Sequence, residues 1–161
     1  MDPRAAHLIG TLGLSPHPEG GYYRRIFGST STVSPRDGRG ERAAVSTIYY
    51  LLVAGDVSRW HRVASDEVWH HYEGAPLEMF TADPALDRVD ANTLGTLADS
   101  TRPVVVVPAG MWQAARTTGE YTLVGCTVAP GFDFEDFELL RDAPAIAAEM
   151  RRRHPGLASL I

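Results

Sequence analysis

The chain has 161 residues, of which 44% are hydrophobic and 22% are charged, and its formal net charge is −5. This composition is typical of a soluble globular protein and predicts one domain spanning residues 1–161. The negative charge argues against nucleic acid as a partner, because phosphate binding needs a basic face. All 15 basic residues are arginine, which excludes Schiff-base chemistry on a lysine.

Three features bear on the cellular compartment. No apolar run approaches the roughly 18–20 residues that span a bilayer, and the first residues, MDPRAAHLIGTLG, lack the long apolar core of a signal peptide. Cys126 is the only cysteine, so no internal disulfide can form. We therefore expect a cytoplasmic protein without a membrane partner.

The chain begins with a predicted helix that Asp2 caps, Pro3 favours in its first turn and Gly13 ends. A turn-rich stretch, SPHPEGG, follows, and then an extended run, GYYRRIF. Residues 28–41 are polar and rich in glycine, serine and proline, and they predict a mobile loop.

Short runs of β-branched or aromatic residues fill the middle of the chain. They are VSTIYYLLV, SRWHRV, EVWHHY, PLEMF, RPVVVV, MWQAART and EYTLVGCTV. Such runs, divided by turn residues, predict an antiparallel sandwich or barrel, which we expect to hold about ten strands. PGFDFEDFE predicts a turn and then a strand with a solvated acidic face. Helical periodicity returns only in DAPAIAAEMRRRHP, which predicts a final helix.

One set of spaced residues is Gly55, His61, Val63, Glu67 and Gly74, and a second is Pro108, Ala109, Gly110 and Gln113. Their spacing resembles that of the first and second cupin motifs. In addition, the stretches HPEGGYYRR, STIYYLL, DEVWHHYEG, VPAGMWQAA and LVGCTVAPGFDFEDFELL resemble the cupin family 5 proteins, also called the DUF985 family. This resemblance covers nearly the whole chain.

The resemblance implies an all-β fold, a cupin double-stranded β-helix or jelly-roll barrel, with short N-terminal and C-terminal helices. It also implies a homodimer, and a fold similar to that of sugar-nucleotide epimerases and germins. We expect the extended run GYYRRIF to pair with or cross to the partner subunit, because open sheets leave strand edges that need covering.

In metal-binding cupins, three histidines and a glutamate hold the metal, and the matching positions here are His61, Val63, Glu67 and Gln113. Val63 cannot coordinate a metal, and Gln113 offers only a neutral carbonyl oxygen. The remaining metal set, His61, Glu67 and Gln113, is one good ligand short of two histidines and one carboxylate. A divalent metal therefore remains an alternative, and the cofactor is left open.

The same residues suit a pocket for an organic ligand. Strand alternation places Glu67, Trp69 and His71 on one face, and His61 and Glu67 are the candidate catalytic pair, able to move protons. A small anionic or hydroxylated ligand would accept hydrogen bonds from His61 and Gln113. The candidate substrate-binding residues are Trp69, His71, Trp112, Gln113 and Glu19.

Each of these residues also has a structural interpretation. His61 and Glu67 can form a buried hydrogen-bonded pair across a hairpin, and the tryptophans can belong to the core. Glu19, in HPEGG, can cap a turn or reach the mouth of a pocket.

Three hypotheses for the function follow. The first is a metal-independent isomerase, epimerase or lyase that acts on a small polar, sugar-like metabolite. The second is a metal-dependent cupin enzyme with a reduced ligand set, and the third is a small-molecule binding protein without turnover.

Overall fold

The computed structural model describes residues 1–161, which form two antiparallel β-sheets packed face to face with helices on their outer sides. The helices are α1 (Pro3–Leu12), α2 (Pro144–Arg153) and three 3-10 turns (Phe134–Asp136, Leu140–Asp142 and Pro155–Leu160). No helix has the length and apolar character needed to cross a membrane.

The strands are β1 (Ser15–Pro16), β2 (Tyr22–Gly28), β3 (Thr32–Val33), β4 (Arg42–Ala43), β5 (Ser46–Val53), β6 (Val57–Val63), β7 (Asp66–Gly74), β8 (Leu77–Ala82), β9 (Val89–Leu94), β10 (Val104–Val107), β11 (Trp112–Thr117), β12 (Tyr121–Ala129) and β13 (Phe137–Leu139). The six-stranded sheet has the order β1-β2-β5-β12-β7-β10 and the five-stranded sheet the order β13-β6-β11-β8-β9, while β3 pairs only with β4. This is the jelly-roll arrangement that the sequence predicts.

Helix α1 covers the outer face of the six-stranded sheet. The Asp2 carboxylate accepts hydrogen bonds from the N–H groups of Arg4 and Ala5, and Gly13 ends the helix with a φ of +62°. Leu8 of α1 packs with Leu51 of β5 in one buried cluster. Because α1 covers one face and the second sheet the other, β5 is apolar at consecutive positions rather than alternating.

Helix α2 covers the outer face of the five-stranded sheet in the same way. Met150 of α2 packs in one cluster with Trp60 of β6 and Trp112 of β11. The residues of β11 on the opposite face, Gln113 and Ala115, point between the sheets, as expected from strand alternation.

The main core lies between the two sheets. It combines side chains from both of them, including Leu52 and Trp69 from the first sheet and Met79 and Ala115 from the second. At one end of this layer, polar side chains replace the apolar ones and a cavity opens.

The structure adds strands to those predicted from the sequence. The segment 28–41, predicted as a loop, contains β3, which pairs with β4. Strand β9 was not expected, because its sequence VDANTL is largely polar, and only its last residue is buried at this edge of the sheet. Four of the thirteen strands have only two or three residues, which explains the difference from the expected number.

Candidate active site

A cavity of about 40 Å³ lies between the sheets, at the end where β6 turns into β7. Its titratable lining residues are His17, Glu19, Tyr23, Tyr50, His61, Glu67 and Cys126. Its other lining residues are Ser46, Ile48, Val63, Val128, Phe132 and Phe137. The volume suits a ligand of a few heavy atoms, since a single water needs about 10–15 Å³ on this measure.

Strand pairing brings together the residues that the cupin spacing singles out. His61 lies on β6 and faces Gln113 of β11 across the ladder. Glu67 lies on β7 in the opposite sheet, and its side chain reaches across the layer to Gln113. A turn with Gly110 at a φ of +78° leads into β11, and the Gly110 N–H donates to the carbonyl of Val63. This turn accounts for the proline–glycine part of the second motif.

Gln113 is fixed in orientation by two buried partners. The Trp69 Nε1–H donates to Gln113 Oε1 over 3.0 Å, so the other end of the amide must be the NH2 group. Gln113 Nε2 then donates to Glu67 Oε2 over 2.6 Å. Gln113 and Trp69 therefore hold the carboxyl of Glu67 in place, and neither residue is part of the cavity lining.

His61 is held through its Nδ1 atom. This nitrogen lies 2.7 Å from the carbonyl oxygen of Arg59, which can only accept a hydrogen bond, and 3.3 Å from Glu19 Oε2. Nδ1 must therefore carry the proton, which leaves Nε2 as the basic nitrogen of the neutral ring. A backbone carbonyl and a carboxylate that orient an imidazole are a recurrent support for histidine proton transfer.

The HPEGG segment enters the barrel and supplies two lining residues. Glu19 Oε1 accepts a hydrogen bond from the Ser58 hydroxyl over 2.9 Å, and Glu19 Oε2 lies 3.6 Å from His17 Nδ1. Gly20 has a φ of +114°, and a Cβ there would lie 2.1 Å from the carbonyl oxygen of Val57. The glycine is required because the segment passes so close to β6. Of these residues the sequence singled out Glu19, whereas it assigned no role to His17.

Burial dominates the protonation of all four groups. It raises the pKa of the Glu19 and Glu67 carboxyls above their usual values and lowers the pKa of the His17 and His61 imidazoles, because a low-dielectric site disfavours the charged form. The pKa shifts of the acids and the bases are therefore directed toward each other, which favours proton exchange between the two kinds of group.

Three phenylalanines near the C-terminus form the remaining wall. Phe132 and Phe137 line the cavity, and the Phe137 ring lies 5.4 Å from the ring of His61, centroid to centroid. The exposed Phe134 stacks over His17 at 6.3 Å. The sequence suggested no pocket role for these residues, because their contact with β6 forms only when distant parts of the chain meet.

The structure places the remaining candidates away from the cavity lining. Trp112 packs on the outer face of the five-stranded sheet, under α2. Trp69 lies in the core between the sheets. His71 is further along the same strand, opposite Val124, and its Nε2 is buried without a hydrogen-bond partner.

The four positions that hold a metal in other cupins do not fit one here. Val63 has no donor atom, and both ends of the Gln113 amide are already bonded to Trp69 and Glu67. No group of three or more histidine, cysteine, aspartate or glutamate side chains has the arrangement of a metal site. These four positions alone offer one imidazole and one carboxyl, which falls short of the ligands that transition metals use.

The comparisons with known proteins agree with the fold. The chain matches the family model described as "Cupin superfamily (DUF985)" over residues 6–140. Its structure is similar to that of a hypothetical protein from Leishmania major, with a TM-score of 0.84 and 29% identity over 98% of this chain and 96% of that chain. It is also similar to the crystal structure of a protein from Shewanella oneidensis, with a TM-score of 0.81 and 34% identity over 96% of each chain.

A more distant similarity concerns the fold alone. Oxalate decarboxylase from Bacillus subtilis aligns with 91% of this chain and 36% of its own, with a TM-score of 0.61 and 16% identity. No curated protein sequence matches the chain.

Proposed function

The chain belongs to the DUF985 family of the cupin superfamily, and from this membership and the geometry of its cavity we propose that it is a metal-independent acid–base enzyme. The proposed reaction is the isomerisation, epimerisation or lytic cleavage of a small polar metabolite through proton transfer at carbon. The observation that carries the proposal is that one enclosed cavity holds a carboxyl and an imidazole, each oriented by its own buried partners.

Glu67 is the proposed base that removes a proton from a carbon next to a carbonyl group. Gln113 holds the carboxyl by a single hydrogen bond to Oε2, and burial raises its pKa, which strengthens it as a base. His61 has its Nδ1 proton engaged with Arg59, so its Nε2 is the site that takes up or returns a proton during the reaction. Return of the proton by Glu67 to a neighbouring atom gives isomerisation. Return to the opposite face gives epimerisation, and that proton comes from His61 Nε2 after this nitrogen has taken one up from a substrate hydroxyl or from water.

The cavity also supplies what proton abstraction at carbon requires beyond the base. The walls are largely apolar and aromatic and hold the reacting atoms away from bulk water. The Tyr50 hydroxyl donates to the carbonyl of Gly20 over 2.8 Å and so fixes the HPEGG segment in the barrel. These residues bind, orient and exclude water, while Glu67 and His61 move protons.

The test is turnover of a panel of small hydroxylated and carbonyl metabolites by untagged protein in the presence of a chelator. Glu67→Gln keeps the shape of the side chain and removes the base, so we expect activity to fall by roughly 10²–10⁴-fold. Glu78→Gln is the matched control, since Glu78 is an exposed carboxylate that pairs with Arg116 away from the cavity.

Three results would contradict the proposal. The first is unchanged turnover in Glu67→Gln. The second is tight binding of a metabolite that the wild-type protein never converts, which would indicate a binding protein. The third is activity that disappears with the chelator and returns with one equivalent of metal.

A further inference from the structure

The cavity lining contains two carboxyl groups, Glu19 and Glu67, and two imidazoles, His17 and His61, but no arginine. Burial lowers the pKa of both imidazoles, so neither is a fixed positive charge. The arginines close to this end of the barrel are engaged elsewhere, with Arg39 and Arg42 bound to Asp136 and Arg62 bound to Glu138. An anionic ligand would therefore enter a buried site that already holds two acids and no fixed positive charge.

The hydrogen-bonding groups of the cavity also disfavour an anionic ligand. The Gln113 NH2 group, which the sequence suggested as a donor to an anion, is directed at Glu67. The Nδ1 proton of His61 is directed at the carbonyl of Arg59. The Glu19 N–H donates to His17 Nδ1, so the neutral His17 ring carries its proton on Nε2 and is a donor. The two carboxyls are the main acceptors, since a carboxylate can accept about four hydrogen bonds and Glu67 receives one from Gln113.

The aromatic walls of the cavity favour a cationic ligand. Four aromatic side chains line the cavity, two tyrosines and two phenylalanines: Tyr23, Tyr50, Phe132 and Phe137. The faces of aromatic rings carry partial negative charge and attract cations, and the interaction grows when water is excluded. Two carboxyls inside an aromatic enclosure are complementary to an ammonium group with an aliphatic body.

We propose that the ligand of this cavity is a small primary amine in its ammonium form, with Glu19 accepting hydrogen bonds from the ammonium group and Glu67 left to act on carbon. A primary ammonium has three donors, and Glu19 has free acceptor sites beside the one that Ser58 occupies. The proposal rests on the cavity being the substrate site, as in the proposed function, and it adds the charge of the substrate.

The test compares three two-carbon compounds that share one hydroxyl and differ in charge. Ethanolamine is a cation, ethylene glycol is neutral and glycolate is an anion. Nuclear magnetic resonance titration of the full-length protein measures their dissociation constants at neutral pH. We expect ethanolamine to bind roughly 10- to 100-fold more tightly than ethylene glycol, as for hydrogen bonds to a charged partner, and glycolate to bind least.

A variant localises the effect. Glu19→Gln should weaken ethanolamine binding by roughly tenfold or more and reduce the preference for ethanolamine over ethylene glycol, whereas the control Glu78→Gln should change neither affinity. Equal or tighter binding of glycolate, or no perturbation of cavity resonances by ethanolamine, would overturn the inference.

These outcomes are separate from those of the proposed function. Proton-transfer catalysis on an uncharged or anionic substrate, lost in Glu67→Gln, would leave the proposed function standing and remove the ammonium inference. Ethanolamine binding without any dependence on Glu19 would also count against the inference.

Discussion

Gly20 shows how one residue allows the HPEGG segment to reach the cavity. A Cβ at this position would lie 2.1 Å from a backbone oxygen, whereas Gly38, with a φ of +89°, has no atom within 4 Å of the same point. Gly38→Ala should therefore cost about 1 kcal/mol, for the positive φ alone. Gly20→Ala should cost roughly 2–4 kcal/mol more. Urea denaturation measures both, and equal losses would show that the close approach to Val57 is unimportant.

Glu67 gives a pH-dependent prediction. Burial raises its folded-state pKa above the usual 4.5, so the folded protein holds this proton more tightly than the unfolded chain does. Its contribution to stability is present below the unfolded pKa and is lost as the pH rises through the raised folded pKa. Glu67→Gln has no such proton, so it should be more stable than the wild-type protein at high pH.

Urea denaturation at about pH 4 and about pH 8 measures this difference, which should appear only at the higher value. Glu78→Gln should show no such change between the two conditions. A Glu67→Gln variant that is destabilised equally at both pH values would indicate that the carboxyl acts as a structural hydrogen-bonding group.

Single residues also show how far the sequence predicts the site. His61, Glu67 and Gln113 could be found because fixed spacing along neighbouring strands determines their positions. Strand alternation alone did not decide which face of β11 is inward, so Trp112 was proposed for the pocket although it packs under α2. His17 was missed because its place in the barrel depends on a loop that crosses to β6.

At the scale of elements, residues 131–137 form one wall of the cavity, and ion pairs hold this wall in place. The side chain of Asp136 is nearly fully buried and binds Arg39 at 2.8 Å and Arg42 at 2.9 Å. The segment 28–41, predicted to be mobile, thus supplies one of the two arginines that anchor this wall. The sequence could not reveal this, since the partners are about a hundred residues apart.

Asp136→Asn should therefore make this wall more mobile and lower the stability of the whole protein. It leaves two arginines facing a neutral group, and we expect the melting temperature to fall by roughly 5–10 °C. Glu135→Gln is the control, because Glu135 also binds Arg42 but is exposed and should have almost no effect. Hydrogen exchange in residues 131–139 should quicken only in Asp136→Asn, and identical behaviour of the two variants would refute the anchor.

Strands β3, β4 and β9 show why some elements escape sequence analysis. Their residues are mostly polar and partly exposed, so the alternation that identifies a strand is missing. They form because neighbouring strands offer them hydrogen bonds. By contrast, β5, β7 and β12 are long and rich in β-branched or aromatic residues, and the sequence predicted all three.

At the scale of the whole molecule, we expect a homodimer. Strand β2 is paired with β1 only at Tyr22 and Tyr23, and it exposes Ile26 and Phe27 to 43% and 53%. An open edge with apolar side chains is a surface that proteins usually cover. Light scattering should give twice the chain mass of 17.5 kDa.

Two variants test whether the exposed edge of β2 forms the dimer interface. Ile26→Glu combined with Phe27→Glu should yield a folded monomer, whereas Leu97→Glu, which changes another exposed apolar residue, should leave the dimer intact. A wild-type mass of 17.5 kDa at micromolar concentration would contradict the expectation.

The central claim is that Glu67 and His61 transfer protons to and from carbon in this cavity. It is tested most directly by incubating the protein with a metabolite extract in D2O and a chelator, and by searching for incorporated deuterium with mass spectrometry. We predict that one small polar metabolite acquires a single deuterium with the wild-type protein and with Glu78→Gln, but not with Glu67→Gln. Incorporation that is equally fast with Glu67→Gln, or a metabolite that binds in the cavity and never exchanges, would contradict the account.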